Sequence, residues 1–90
     1  MSPVPAGAVP RLADGALVRR DRVRDEDQLL MPERIVRLNA TGAAILRCCD
    51  GRRTMDEVVG ELEREFGTGD ISSDVERFLT DFREKGWVTW

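Results

Sequence analysis

Histidine and tyrosine are both absent from this 90-residue sequence. Without histidine, the side chain most used for proton transfer near neutral pH and most often bound to zinc is missing. Cysteine is scarce, with Cys48 and Cys49 adjacent in the chain. Neighbouring positions on a helix point about 100° apart, so a disulfide between them would be strained. They read as reduced thiols, at least one serving as a small buried apolar residue. No run reaches the roughly 18 apolar residues of a membrane span. Met1 to Gly15 lacks the cationic opening and apolar stretch of a secretory signal. These absences predict a cytoplasmic chain with no metal and no cofactor. Basic excess is missing too: 14 Lys and Arg stand against 17 Asp and Glu, a net charge of −3. A surface built to neutralise phosphates needs the opposite balance.

What is present is material for one domain, since so short a chain has no room for a second core. Pro3, Pro5 and Pro10 predict a flexible lead-in over residues 1–15, with a single folded domain over 16–90. Ala16–Arg19, Gln28–Met31 and Arg34–Leu38 read as three short strands, and Pro32-Glu33 reads as a tight turn between the last two. Short connections make them an antiparallel meander. Helices follow. Asn39 is a good N-cap for a helix over Ala40–Cys49, ended by Asp50-Gly51. Thr54 and Glu57 form a capping box for a second helix whose apolar stripe is Met55, Val58, Val59, Leu62 and Phe66. Ser73 and Glu76 read as another box, opening a third helix after a Gly67–Ser72 connection. That helix carries Val75, Phe78, Leu79 and Phe82 and stops at Gly86; Trp87, Val88 and Trp90 form a tail that packs back on the core. The fold class is therefore α+β: a three-stranded meander, then three helices in a winged-helix-like order.

Catalysis finds no foothold. No nucleophile sits beside a base, Thr54 and Ser73 are accounted for as caps, and Asp56, Glu61, Glu63 and Glu65 read as a solvated face. The chain is predicted not to be an enzyme.

Several motifs occur in order: Leu29-Leu30-Met31-Pro32-Glu33, Leu38-Asn39-Ala40-Thr41, Cys49-Asp50-Gly51 with Arg53-Thr54, then Asp74-Val75, Phe78-Leu79 and Gly86-Trp87. Over roughly residues 28–88 the sequence resembles PqqD, the peptide chaperone family of pyrroloquinoline quinone biosynthesis. It departs at Gly42, where the family usually has Ala, and at Cys48, where the family often has an apolar residue. The resemblance implies a RiPP recognition element that binds the precursor peptide PqqA and presents it to the radical SAM enzyme PqqE. It also implies that the peptide adds as a strand to the third strand and lies against the third helix. The site residues so implied are Arg34, Ile35, Val36, Arg37 and Leu38 on the strand, with Val75, Arg77, Phe78, Leu79, Asp81 and Phe82 on the helix. The outermost strand of a meander has unpaired backbone groups that suit it to the task, and its two arginines discourage self-pairing. Such an edge allows either a monomer or a homodimer.

Two other readings share this topology. One is a leader-peptide recognition element of a different modification pathway. The other is a winged-helix nucleic-acid binder, whose recognition helix would carry Arg77, Arg83 and Lys85 against Asp74, Glu76, Asp81 and Glu84. A helix with net negative charge is a poor match for a major groove.

Overall fold

The computed structural model describes residues 4–67 and 71–90. Its elements run β1 (Arg11–Leu12), β2 (Leu17–Asp21), β3 (Glu26–Met31), β4 (Arg34–Leu38), α1 (Ala40–Arg47), α2 (Met55–Phe66), α3 (Ile71–Glu84) and β5 (Val88–Thr89). The meander is β2-β3-β4, antiparallel throughout, and a second small sheet pairs β1 with β5. The α+β class stands, and the predicted third strand is β4.

Alternation along each strand separates two faces. Leu29 of β3, with Val36 and Leu38 of β4, faces the helices and joins the core. Ile35 and Arg37 face away, and Ile35 is 61% exposed. Asp27 ties the sheet to α1: its carboxylate accepts from Arg47 at 3.0 Å and from Arg20 at 3.3 Å.

The helices keep their caps where the chain supplies them. Asn39 Oδ1 accepts from the Gly42 N–H at 2.7 Å. Thr54 and Glu57 exchange bonds as a complete capping box. α1 ends at Arg47, two residues before the predicted Cys49. The Cys49 N–H already bonds the Leu46 carbonyl in a tighter turn, and Asp50 accepts from the N–H groups of Arg52 and Arg53. α3 begins at Ile71, so Ser73 lies inside its first turn and makes no capping box. The apolar stripe explains the difference: Ile71 continues the spacing of Val75, Phe78 and Phe82 and packs against the core. Within the predicted Gly67–Ser72 connection, residues 68–70 lie outside the described residues.

The lead-in differs most from expectation. Two of its residues anchor it, Val4 and Pro10 being buried, while Pro5, Ala6, Gly7 and Val9 between them are exposed. The carbonyls of Ala6 and Ala8 accept the Asp56 and Met55 N–H groups at the start of α2. Helix N-termini carry unsatisfied donors, and this segment supplies acceptors for two of them. The C-terminal tail packs as expected, with Val88 buried and Gly86 turning the chain at φ +80°.

Candidate functional site

β4 pairs with β3 on one side and, among the described residues, has no strand partner on the other. Its register shows which backbone groups are free. The two-residue connection Pro32-Glu33 closes on Met31↔Arg34, making that a hydrogen-bonded pair. Antiparallel alternation then makes Leu29↔Val36 and Asp27↔Leu38 hydrogen-bonded as well. The N–H and C=O groups of Ile35 and Arg37 are left pointing outward, two donors and two acceptors along the edge. β2 is the other edge of the sheet.

An aromatic cluster runs from α3 through Trp87 to the Arg34 end of β4. Phe78 stacks on Phe82 with ring centroids 4.2 Å apart, and Phe82 meets Trp87 edge-on at 5.2 Å. Gly42 permits the approach of Phe78 to α1, since a Cβ there would lie 3.0 Å from Phe78 Cε2. Val36, Leu38, Phe78 and Trp87 are half-buried, so each shows apolar surface while packing on the core. At the hairpin end, the Arg34 guanidinium lies 5.6 Å from the Trp87 ring centroid. Lys85 Nζ lies 5.1 Å from the same centroid. A depression of about 510 Å³ opens among Glu33, Arg34, Lys85 and Trp87.

The residues singled out from sequence separate on these grounds. Arg34, Val36 and Leu38 share the helix-facing side of β4; Ile35 and Arg37 share its edge groups but direct their side chains to the outer face, Arg37 lying 3.9 Å from Glu26. Phe78 is half-buried against Gly42 of α1 and Phe82. Val75 and Leu79 are completely buried and Phe82 nearly so. These three shape the helix from beneath, because their spacing puts them at the centre of the apolar stripe, where the core closes over them. Asp81 is exposed and held by Lys85 at 3.0 Å. Arg77 and Asp81 line a different depression, about 410 Å³, with Ser73, Glu76, Thr80 and Glu84. At 100° per residue Arg77 projects well round the helix from Phe78 and Phe82.

Glu33, Lys85 and Trp87, which line the hairpin-end depression with Arg34, carry no mark in the sequence as site candidates. In sequence Trp87 belongs to the apolar tail and Lys85 to the mixed charge of the third helix. The only local signal was a cation beside a tryptophan just past a helix end, too common to single out. The cysteines play no part in the site. Burial pushes the Cys48 thiol above its ordinary pKa and pushes Cys49 up to about 12. Cys49 Sγ donates to the Ile45 carbonyl. Among the described residues no cluster of potential ligands could hold a metal, and no helix is long and apolar enough to cross a membrane.

A three-stranded meander with an open edge, followed by three helices, is the α+β arrangement found in known structures. The chain resembles the solution structure of the PqqD part of Methylobacterium extorquens PqqCD, described as a stand-alone RiPP recognition element. The TM-score is 0.80 at 28% identity, covering 99% of this chain and 97% of that one. It also resembles a crystal structure of PqqD from Xanthomonas campestris, with a TM-score of 0.54 and 28% identity over 92% of this chain and 94% of that one. The family model for coenzyme PQQ synthesis protein D (PqqD) matches residues 28–88. The chain belongs to the PqqD family. A PqqA binding protein from Azotobacter vinelandii is 35% identical over 98% of this chain and 97% of its own length. Another from Methylococcus capsulatus is 38% identical over 67% of this chain, which spans 64% of that relative.

Proposed function

We propose that this chain is a non-catalytic carrier that binds the precursor peptide PqqA along β4 and presents it to the radical SAM enzyme PqqE in the cytoplasm. The observation carrying the proposal is the edge of β4, whose Arg34 end meets the Phe78–Phe82–Trp87 cluster. An extended peptide there gains backbone hydrogen bonds from Ile35 and Arg37. Its alternate side chains fall on Val36, Leu38 and Phe78. Relatives named for PqqA binding support the choice of peptide. Among the sequence-implied helix residues, Phe78 touches the peptide directly. Val75, Leu79 and Phe82 support it from the core, and Asp81 acts through Lys85.

The test is titration of isotope-labelled protein with PqqA, following backbone amides. The Ile35 and Arg37 amides are expected to shift most, with Val36 and Leu38 moving less. Equal shifts along β2 and β4, or binding that leaves β4 unmoved, would overturn the site. A further titration of the loaded protein with PqqE is expected to give a ternary complex. Displacement of the peptide instead would contradict presentation.

A further inference from the structure

We infer that the Arg34–Trp87–Lys85 corner is a carboxylate-binding subsite that sets the register of the bound strand; the inference rests on the peptide-binding reading above. Two cations approach one indole ring, at 5.6 Å and 5.1 Å from its centroid. Lys85 also approaches Phe82, at 5.8 Å. Like charges at one ring repel each other, and an anion between them relieves that repulsion. Lys85 is partly compensated by Asp81 from the α3 side. Among the described residues no carboxylate pairs with Arg34, although Glu33 lines the same depression. The corner therefore offers a forked donor that neither Glu33 nor the neighbouring Asp14 holds, an ammonium, and an aromatic wall.

Its place in the fold gives the anion a position. Arg34 opens β4, and its backbone pairs with Met31, so its own edge groups face β3. Its side chain lies on the helix-facing side, as do those of Val36 and Leu38. A residue of an added strand opposite Arg34 directs its side chain to the same side, beside Trp87. The next helix-facing positions of that strand meet Val36 and then Leu38, both apolar. The recognised segment thus carries a carboxylate at one end, with apolar residues two and four positions away. Charge-assisted hydrogen bonds to a guanidinium are directional enough to distinguish this register from one shifted by two residues. The same carboxylate chemistry is supplied by an Asp or Glu side chain or by a peptide C-terminus.

A cycle of substitutions tests this. PqqA is prepared with each Asp and Glu changed singly to its amide, and separately with an amidated C-terminus. Each form is titrated against the parent protein and the Arg34→Gln, Lys85→Gln and Arg77→Gln variants. Arg77→Gln makes the same charge change away from the corner. One peptide change is expected to weaken binding about tenfold with the parent and with Arg77→Gln. With Arg34→Gln and Lys85→Gln the same change should cost twofold or less. The peptide form showing that coupling identifies the source as side chain or terminus. Equal losses across all four proteins, or no loss for any peptide form, overturn the subsite while leaving strand addition intact. Failure of unaltered PqqA to bind the parent protein overturns the peptide-binding reading itself, and the subsite with it.

Discussion

Gly42 of α1 lies against the ring of Phe78 in α3, close enough that a Cβ would stand 3.0 Å from Cε2 and 3.1 Å from Asn39 Oδ1. Replacing Gly by Ala inside a helix gains about 1 kcal/mol from propensity. Forcing a methyl into a filled contact costs about 1–3 kcal/mol. Gly42→Ala is therefore expected to destabilise the domain by about 1 kcal/mol in urea denaturation. Adding Phe78→Leu should recover most of that loss by removing the ring edge. A single Gly42→Ala variant more stable than the parent would mean the ring swings aside freely.

Register makes Ile35 and Val36 opposite tests of the edge. Ile35→Pro removes an outward N–H, so thermal melts should change little while PqqA binding falls about tenfold. Val36→Pro removes the N–H given to Leu29 of β3 and should cost about 1–3 kcal/mol of stability. Melts and peptide titrations on the pair check both halves. A folded Val36→Pro variant with lost binding, beside an Ile35→Pro variant that binds normally, would reverse the assigned parity.

Asp27 is 8% exposed and joins strands to helix through Arg47 and Arg20. Removing a nearly buried carboxylate takes the acceptor from Arg47 and leaves Arg20 with Asp25 alone. Asp27→Ala is expected to cost about 1–3 kcal/mol. Arg20→Ala should cost under about 1 kcal/mol, because Arg20 is half-exposed and its bond to Asp27 is the longer one. Urea midpoints measure both. An Asp27→Ala variant as stable as the parent would show that α1 is held to the sheet by apolar packing alone.

Stability should fall at both ends of the pH scale for different reasons. Cys49 has an ordinary pKa of 9.0, pushed up to about 12 by burial. Its neutral form suits the fold, so its contribution is complete below about pH 9 and is lost as pH rises toward 12. Asp21, Asp50 and Glu57 are held below their ordinary values, chiefly by accepting the N–H groups of Arg24, Arg52 and Thr54 respectively. Their contributions are present above those ordinary values, 3.8 for Asp and 4.5 for Glu, and are lost as pH falls below them. Urea midpoints against pH should show a plateau between these limits, and Cys49→Ala should flatten the alkaline decline. An unchanged alkaline slope in that variant would exclude the thiol as its cause.

The elements most legible in the sequence were those fixed by neighbours in the chain. The Pro32-Glu33 turn, the Asn39 cap and the Thr54–Glu57 box each depend on residues within a few positions of one another. The stripe of α2 and α3 was legible for the same reason, although its extension to Ile71 was missed because Ser73 offered a competing start. The β1–β5 pair was not legible, since two-residue strands carry no alternation to read. Nor was the packing of Val4 and Pro10, which depends on distant partners in the helices. At the site, the edge strand could be read from the meander order. The division of α3 residues into those at the surface and those beneath it required knowing which part of the stripe the sheet covers.

Arg11 and Thr89 pair across 78 positions of chain, and this closure has a kinetic consequence. Joining distant segments carries a loop-entropy cost that must be met before the contact stabilises anything. The β3–β4 hairpin closes over two residues and carries almost none of that cost. Local pairing therefore leads in folding, and docking of the N-terminal arm follows. In the reverse direction the arm is the natural place for a sub-global opening. When it lifts, the Met55 and Asp56 amides lose their Ala8 and Ala6 acceptors, and the core loses Val4. The meander keeps its own ladder through such an opening, so β4 remains an ordered template while the arm breathes.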